Sequence, residues 1–285
     1  MTEIVSEQRS RVFTVSAAPE QPLELAWGAG SDVGLRRAAN EDSVVAMPGV
    51  FAVADGLGGH AAGDVASAAA VTNLARIAKT RARRGAILQA RDVVASLVAA
   101  SAEILKASRG ALHGSGTTVT GIAVVEHERV PALQVFNLGD SRVYAFRDHE
   151  LEQLTKDHSY VQELVDSGQI TAEQAEVHPD ANIITRALGF GELPEVDRWL
   201  LHPVAGTRFL ICSDGLTREL TDSTIAVLLG MGADPDDTVR ALIDAAVAAG
   251  GRDNVTVAVI DVVAAPELAS AGAAPERVPA DSDAA

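Results

Sequence analysis

Six acidic side chains carry the chemistry that can be read from this sequence. Asp55 ends the apolar run Val50-Phe51-Ala52-Val53-Ala54 and is followed by Gly56, Gly58 and Gly59. A buried strand that stops on a carboxylate, with freed backbone behind it, holds that carboxylate rigidly at the rim of a sheet. Pro48-Gly49 suits the central pair of a type II turn between strands at 43–47 and 50–54. Met47 then faces Val50, and Asp42 falls opposite Asp55, with Glu41 adding a third acid. Like charges across a strand pair destabilise it. Two readings fit this hairpin: a mouth where water screens the repulsion, or a site for a hard divalent cation, which wants several carboxylate oxygens.

Three more aspartates sit at strand ends. Asp140 follows the strand 132–138, Asp214 follows 207–212, and Asp253 precedes 255–263. A residue leaving one strand and a residue entering its antiparallel neighbour share a sheet edge. Asp214 and Asp253 meet in this way if their strands are neighbours. Turn chemistry accounts for any one of these residues, but less well for four at apolar strand ends, and the metal reading is preferred. A carboxylate set without His or Cys points to Mg²⁺ or Mn²⁺ rather than Zn²⁺. Two such ions suit displacement at phosphorus, and Arg37, close to Glu41 and Asp42, is placed to grip a phosphate in bidentate fashion.

The elements that must position these groups follow from periodicity and turn signals. Strands are predicted at 23–27, 43–47, 50–54, 117–125, 132–138, 142–146, 151–154, 182–187, 195–201, 207–212 and 255–263. Helices are predicted at 61–79, 90–108, 159–167, 171–177, 222–229 and 235–249, the fourth opening on the capping-box match Thr171-Ala172-Glu173-Gln174. Residues 1–22, containing Pro19 and Pro22, are expected to form a loose arm. Residues 264–285, rich in alanine and proline, are expected to be disordered.

Composition bounds the function. Hydrophobic residues make up 47% of the 285, enough to fill a sizeable core. A net charge of −16 argues against nucleic acid and against anionic membrane surfaces, both of which need clustered Lys and Arg. The single cysteine, Cys212, lies in an apolar run and reads as a buried structural thiol in a reducing compartment. With no signal-like or bilayer-length apolar stretch, the expectation is a soluble, cytoplasmic monomer.

Six motifs then occur in order: Ser31-Asp32-x-Gly34-x-x-Arg37-x-x-Asn40-Glu41-Asp42; Val53-Ala54-Asp55-Gly56-Leu57-Gly58-Gly59-His60; Gly116-Thr117-Thr118; Leu138-Gly139-Asp140-Ser141-Arg142; Cys212-Ser213-Asp214-Gly215-Leu216; and Arg252-Asp253-Asn254-Val255-Thr256. Together they resemble the metal-dependent protein phosphatases of the type 2C class (PPM), in the bacterial Ser/Thr form, over residues 23–263. The resemblance implies an α+β fold, a four-layer αββα sandwich of two antiparallel β-sheets flanked by helices. It implies hydrolysis of phosphoserine and phosphothreonine on proteins by direct attack of a metal-bridging hydroxide, opposing Ser/Thr kinases and acting on them and their targets. Carried over by position, Asp55 bridges two core Mn²⁺ or Mg²⁺ ions and the Gly56 carbonyl binds one of them. Asp214 and Asp253 hold the first ion, Glu41 and Asp42 act on the second through waters, and Asp140 with Asp214 takes a third, weaker ion. Arg37 takes the substrate phosphate. Residues 156–188 correspond to a mobile flap, in which Asp157, His158 and Arg186 are near substrate or are simply surface residues.

One departure stands out. Animal relatives place a histidine, the general acid, directly after the Asp-Gly pair, where this chain has Leu57. His60 and a metal-bound water are the two alternatives for the proton donor. Rival readings fare less well. The turn Gly56-x-Gly58-x-x-Ala61 loosely matches a dinucleotide fingerprint, but no second strand ends in an acid about twenty residues on. No Gly-Lys-Ser/Thr follows for a P-loop. A catalytically dead binding module should lack a metal aspartate, and none is missing. A stress-response phosphatase acting on an anti-sigma-factor antagonist usually carries sensor domains ahead of the catalytic one, and only a short arm precedes it here.

Overall fold

Strand alternation decides the architecture. In the hairpin 43–54, Val44, Ala46, Phe51 and Val53 enter one apolar cluster, while Val45, Met47, Val50, Ala52 and Ala54 enter another. Successive side chains point to opposite faces of a sheet, so a hairpin buried on both faces must have a layer on each side. The computed structural model describes residues 4–6, 10–15, 18–58, 62–108, 114–192, 194–266 and 276–277.

The chain begins with β1 (Ile4–Ser6), β2 (Ser10–Val15), β3 (Ala18–Asp32), β4 (Ser43–Met47), β5 (Val50–Ala54) and the two-residue β6 (Gly56–Leu57). Helices α1 (Gly63–Arg83) and α2 (Ala90–Ala107) follow. Next come β7 (Gly116–Thr117), β8 (Val119–His127), β9 (Val130–Leu138), β10 (Arg142–Arg147) and β11 (Glu150–Gln153). After α3 (Tyr160–Asp166) and α4 (Ala172–Glu176) lie β12 (Asp197–Leu201) and β13 (Arg208–Cys212). The chain closes with α5 (Asp214–Thr217), α6 (Asp222–Leu229), α7 (Pro235–Ala249), β14 (Val255–Ala264) and β15 (Glu276–Arg277).

Two large sheets result, ordered β1-β4-β5-β8-β9-β12-β15 and β11-β10-β13-β14-β3-β2, and β6 pairs with β7 in a small third one. Between them lies a core containing Trp27, Phe51, Ile122, Val135, Phe209 and Ile260. Helices α1 and α2 cover the outer face of the first sheet, and α5, α6 and α7 cover the second through Leu216, Ile225, Leu229, Val239 and Leu242. This is the expected αββα order. Pairing is antiparallel except where β1 runs parallel to β4.

The hairpin register is the predicted one, with Met47 opposite Val50 and Ser43 opposite Ala54. Gly49 has φ 100°, as a type II turn requires. Helices α6 and α7 have the predicted bounds. Asp234 caps α7, accepting a hydrogen bond from Asp237 N–H at 2.8 Å, and Pro235 occupies its first turn.

Some expectations fail. Residues 10–15 are not a loose arm but an edge strand, and β3 begins at Ala18 rather than at 23. Pro19 and Pro22 fall where, among the described residues, β3 has β2 as its only neighbour, since pairing with β14 starts at Glu24, and single-sided strand tolerates a missing N–H. Residues 182–187 form no strand; Ile184 and the neighbouring Leu188 make isolated bridges instead. Of the tail expected to be disordered, residues 267–275 and 278–285 lie outside the described residues. Glu276–Arg277 pair with Leu200 and Trp199.

Phe51 is fully buried, its ring centroid 5.0 Å from that of Trp27 at an interplanar angle of 63°. Phe51→Ala is expected to cost about 3–5 kcal/mol by urea denaturation. A loss under about 1 kcal/mol would show that this layer collapses around the deletion.

Candidate active site

Parity along the strands sends the first two acids to one place. Asp42 precedes β4 in phase with Val44, and Asp55 follows β5 in phase with Val53, so both continue the row facing the second sheet. From that sheet, β13 and β14 are neighbours, with Cys212 opposite Val257, which brings Asp214 and Asp253 to the same rim. Asp140 lies in the turn from β9, in the first sheet, to β10, in the second.

Backbone hydrogen bonds fix these positions. Asp55 N–H donates to Thr118 Oγ1 at 3.0 Å, and its carbonyl accepts from Thr118 N–H and the Thr117 hydroxyl, both at 2.9 Å. Thr118 Oγ1 lies 2.8 Å from Ser141 Oγ, joining the Asp55 and Asp140 turns. Gly139 has φ 118°, and a Cβ there would come within 2.5 Å of Thr118. Gly56 is cradled more tightly still: a Cβ would lie 2.5 Å from the Glu41 carbonyl and 2.4 Å from that of Gly63.

The loop carrying Arg37 and Glu41 is clamped to the start of β14. Asn254 Nδ2 donates to the carbonyls of Val33 and Ala39 at 3.0 Å, and its Oδ1 accepts from Glu41 N–H at 2.9 Å. Asn40 Nδ2 donates to Ser31 Oγ, which lies 2.6 Å from Thr256 Oγ1. Ser213 donates to Asp42 Oδ2 at 2.8 Å. Sequence reasoning assigned no role to Asn254, Ser213 or Thr256, although all three lie inside the motifs it quoted.

Electrostatics confirm that the acids share one field. Burial, then the neighbouring charges of Asp42, Asp214, Asp140 and Asp253, hold the Asp55 carboxyl well above its ordinary value. Burial pushes Asp42 up to about 7, opposed by hydrogen bonds from Thr256 and Ser213. Burial and then Asp214 push Asp140 up to about 8. Asp214 is also raised, chiefly by burial, with Arg218 opposing the rise and Asp253 adding to it.

Two arginines face these acids. Arg37, exposed, donates to Asp253 Oδ2 at 2.7 Å, and that bond raises its pKa. Arg218 pairs with Asp214 and lies 3.4 Å from the same Asp253 oxygen. With oxygens turned toward arginines and hydroxyls, no three His, Cys, Asp or Glu side chains among the described residues form a finished cation cage. The donor set nonetheless fits hard divalent ions. One oxygen each of Asp140 and Asp214 is buried without a hydrogen-bond partner among the described residues, and the Gly56 cradle admits only a glycine.

Other expected residues have structural duties. Asp157 takes both Nε and Nη2 of Arg142, at distances down to 2.7 Å. His158 is buried; its Nδ1 accepts from Gly139 N–H at 3.1 Å, and its Nε2 is 3.4 Å from Asp197. Arg186 turns to the same Asp197, also at 3.4 Å. Cys212 is fully buried, with its thiol pushed up to about 12, as expected of a structural residue. His60 lies outside the described residues. A groove of about 340 Å³ opens beside Leu57, walled by Ile184, Arg186, Phe190 and Pro194.

Residues 38–249 match the sequence profile described as protein phosphatase 2C. The serine/threonine protein phosphatase PstP of Mycobacterium tuberculosis is 42% identical over 245 residues, covering 85% of this chain and 46% of PstP. The chain thus spans about half the length of that relative. The protein phosphatase PhpP of Streptococcus pneumoniae is 34% identical over 239 residues, 81% of this chain and 95% of PhpP. A crystal structure of the PstP catalytic domain in complex with two manganese ions is 39% identical, has a TM-score of 0.73, and covers 85% of this chain and 99% of its own.

The raised carboxyls set a pH dependence. In the folded, metal-free chain Asp42 and Asp140 keep protons that the unfolded chain has already released, so stability falls as pH rises from about 4 toward about 8. In excess chelator the melting temperature should drop from about pH 5 to about pH 8, and Asp140→Asn should flatten that drop. A profile that stays level or climbs in the unsubstituted protein would contradict the buried acid cluster.

Proposed function

The chain belongs to the protein phosphatase 2C family, and on that basis we propose that it is a metal-dependent Ser/Thr protein phosphatase. One observation carries the reading: strand ends of both sheets bring Asp42, Asp55, Asp140, Asp214 and Asp253 to one rim, with Arg37 bonded to Asp253. In this reading Asp55 and the Gly56 carbonyl, with Asp214 and Asp253, would hold Mn²⁺ or Mg²⁺; Glu41 and Asp42 would serve a second ion, and Asp140 with Asp214 would offer a third position. Bound there, the ions would supply a water acidic enough to attack phosphorus and positive charge to offset the phosphoryl oxygens.

The chain's own groups do the rest. Arg37 gives one Nη2 proton to Asp253, which fixes the guanidinium plane and leaves further N–H donors for a phosphate. The Thr117 and Thr118 clamps hold Asp55 against displacement as the phosphate approaches. The groove beside Leu57 offers the polypeptide flanking the phosphoresidue an apolar wall. Among the described residues, no helix is long and apolar enough to cross a membrane. The reading assigns the protein to the cytoplasm, acting as a monomer on phosphoproteins made by Ser/Thr kinases and on those kinases.

Purified protein should hydrolyse p-nitrophenyl phosphate and phosphothreonine peptides with Mn²⁺ or Mg²⁺ and lose that activity in excess chelator. Full turnover in chelator, or strict dependence on Zn²⁺, would overturn the assignment.

A further inference from the structure

Arg218 is the first residue beyond α5, four positions after Asp214, and its backbone N–H bonds the Asp214 carbonyl at 2.9 Å. Its guanidinium pairs with Asp214 Oδ2 through Nη2 and reaches Asp253 Oδ2 through Nη1 at 3.4 Å. One arginine therefore pairs with two acids of the rim.

We propose that Arg218 is a resident counter-cation of this rim, holding the Asp214 and Asp253 oxygens until divalent ions displace it, and so setting how tightly those ions bind. The inference rests on the proposed function, because it takes the rim to be the ion site.

The surroundings are built for that exchange. The backbone carrying Arg218 is fixed: its carbonyl accepts from Arg252 Nη2 at 3.2 Å. The next residue, Glu219, has a side chain only 1% exposed and receives the Arg252 backbone N–H and Nε, both at 2.9 Å, and Nη2 at 3.0 Å. The Arg218 side chain, by contrast, is 35% exposed and has a long flexible stem, so its guanidinium can swing to water without moving the chain. Arg37 bonds the same Asp253 oxygen and stays when Arg218 leaves, keeping a phosphate grip in place. An ordinary exposed i,i+4 ion pair would contribute little to anything. Here one guanidinium meets two acids, of which Asp214 is buried.

Titration calorimetry with Mn²⁺ and thermal melts in chelator and in Mn²⁺ test this on Arg218→Gln and Arg218→Lys. For Arg218→Gln the expected results are Mn²⁺ binding about tenfold tighter than wild type and a lower melting temperature in chelator. In saturating Mn²⁺ its melting temperature should match or exceed wild type. Arg218→Lys, which keeps the charge, should stay near wild type in both. If Arg218→Gln is unfolded in chelator, Mn²⁺ should restore its circular dichroism spectrum. Unchanged or weaker Mn²⁺ binding, an equal loss of melting temperature in both conditions, or failure to fold even with Mn²⁺ would overturn the proposal. Wild type that binds no Mn²⁺ would remove the proposed function and this inference together, whereas wild-type binding unaltered in Arg218→Gln removes the inference alone.

Discussion

Carboxylates crowded onto one rim need positive charge, and most features of this molecule bear on how that charge is supplied. Two like charges about 4 Å apart near a protein surface repel by roughly 4 kcal/mol. The metal-free chain relieves this in two ways. Asp42, Asp55, Asp140 and Asp214 hold protons to higher pH than free carboxyls do, with burial the first cause at each and neighbouring charge adding to it. Arg37 and Arg218 take up oxygens of Asp253 and Asp214. Protons and the Arg218 guanidinium therefore occupy ground that divalent ions would claim, and the sandwich must be stable enough to bear the arrangement.

The fold bears it because the acids lie on the most tightly held backbone. Strands β4, β5, β13 and β14 are buried on both faces, with apolar layers on either side. Their ends are tied by short polar side chains rather than long ones. Thr118 joins Asp55 to the Asp140 turn through Ser141, Asn254 ties the Arg37 loop to β14, and Ser213 joins Asp42 to β13. Such side chains lose little conformational entropy when ordered, so they suit positions where displacement by an ångström would spoil a coordination site.

The parts legible in the sequence were those set by local rules. Pro48-Gly49 fixed the hairpin register and so the facing of Asp42 and Asp55. Alternation marked the doubly buried strands, and a capping box marked α4. What escaped depends on contacts distant in sequence. The edge pairing of β2 with β3 was hidden by Pro19 and Pro22, which read as breakers unless the single-sided edge is known. Residues 182–187 have strand composition but no partner strand, and Ile183 is half exposed. Nothing local in the sequence marks Arg218; the short helix α5 places it one turn beyond Asp214.

The central claim is that Asp55 is the carboxylate on which the ion site turns. Asp55→Asn removes its charge and nearly keeps its shape, which makes it the most direct test. Turnover of a phosphothreonine peptide and melts in chelator and in Mn²⁺ are measured on both proteins. The account predicts that the variant loses turnover, gains less melting temperature from Mn²⁺, and melts no lower than wild type in chelator, since one repelling charge is gone. A variant that turns over peptide normally and responds to Mn²⁺ as wild type does would show that Asp55 is only a turn residue, and the account would fail.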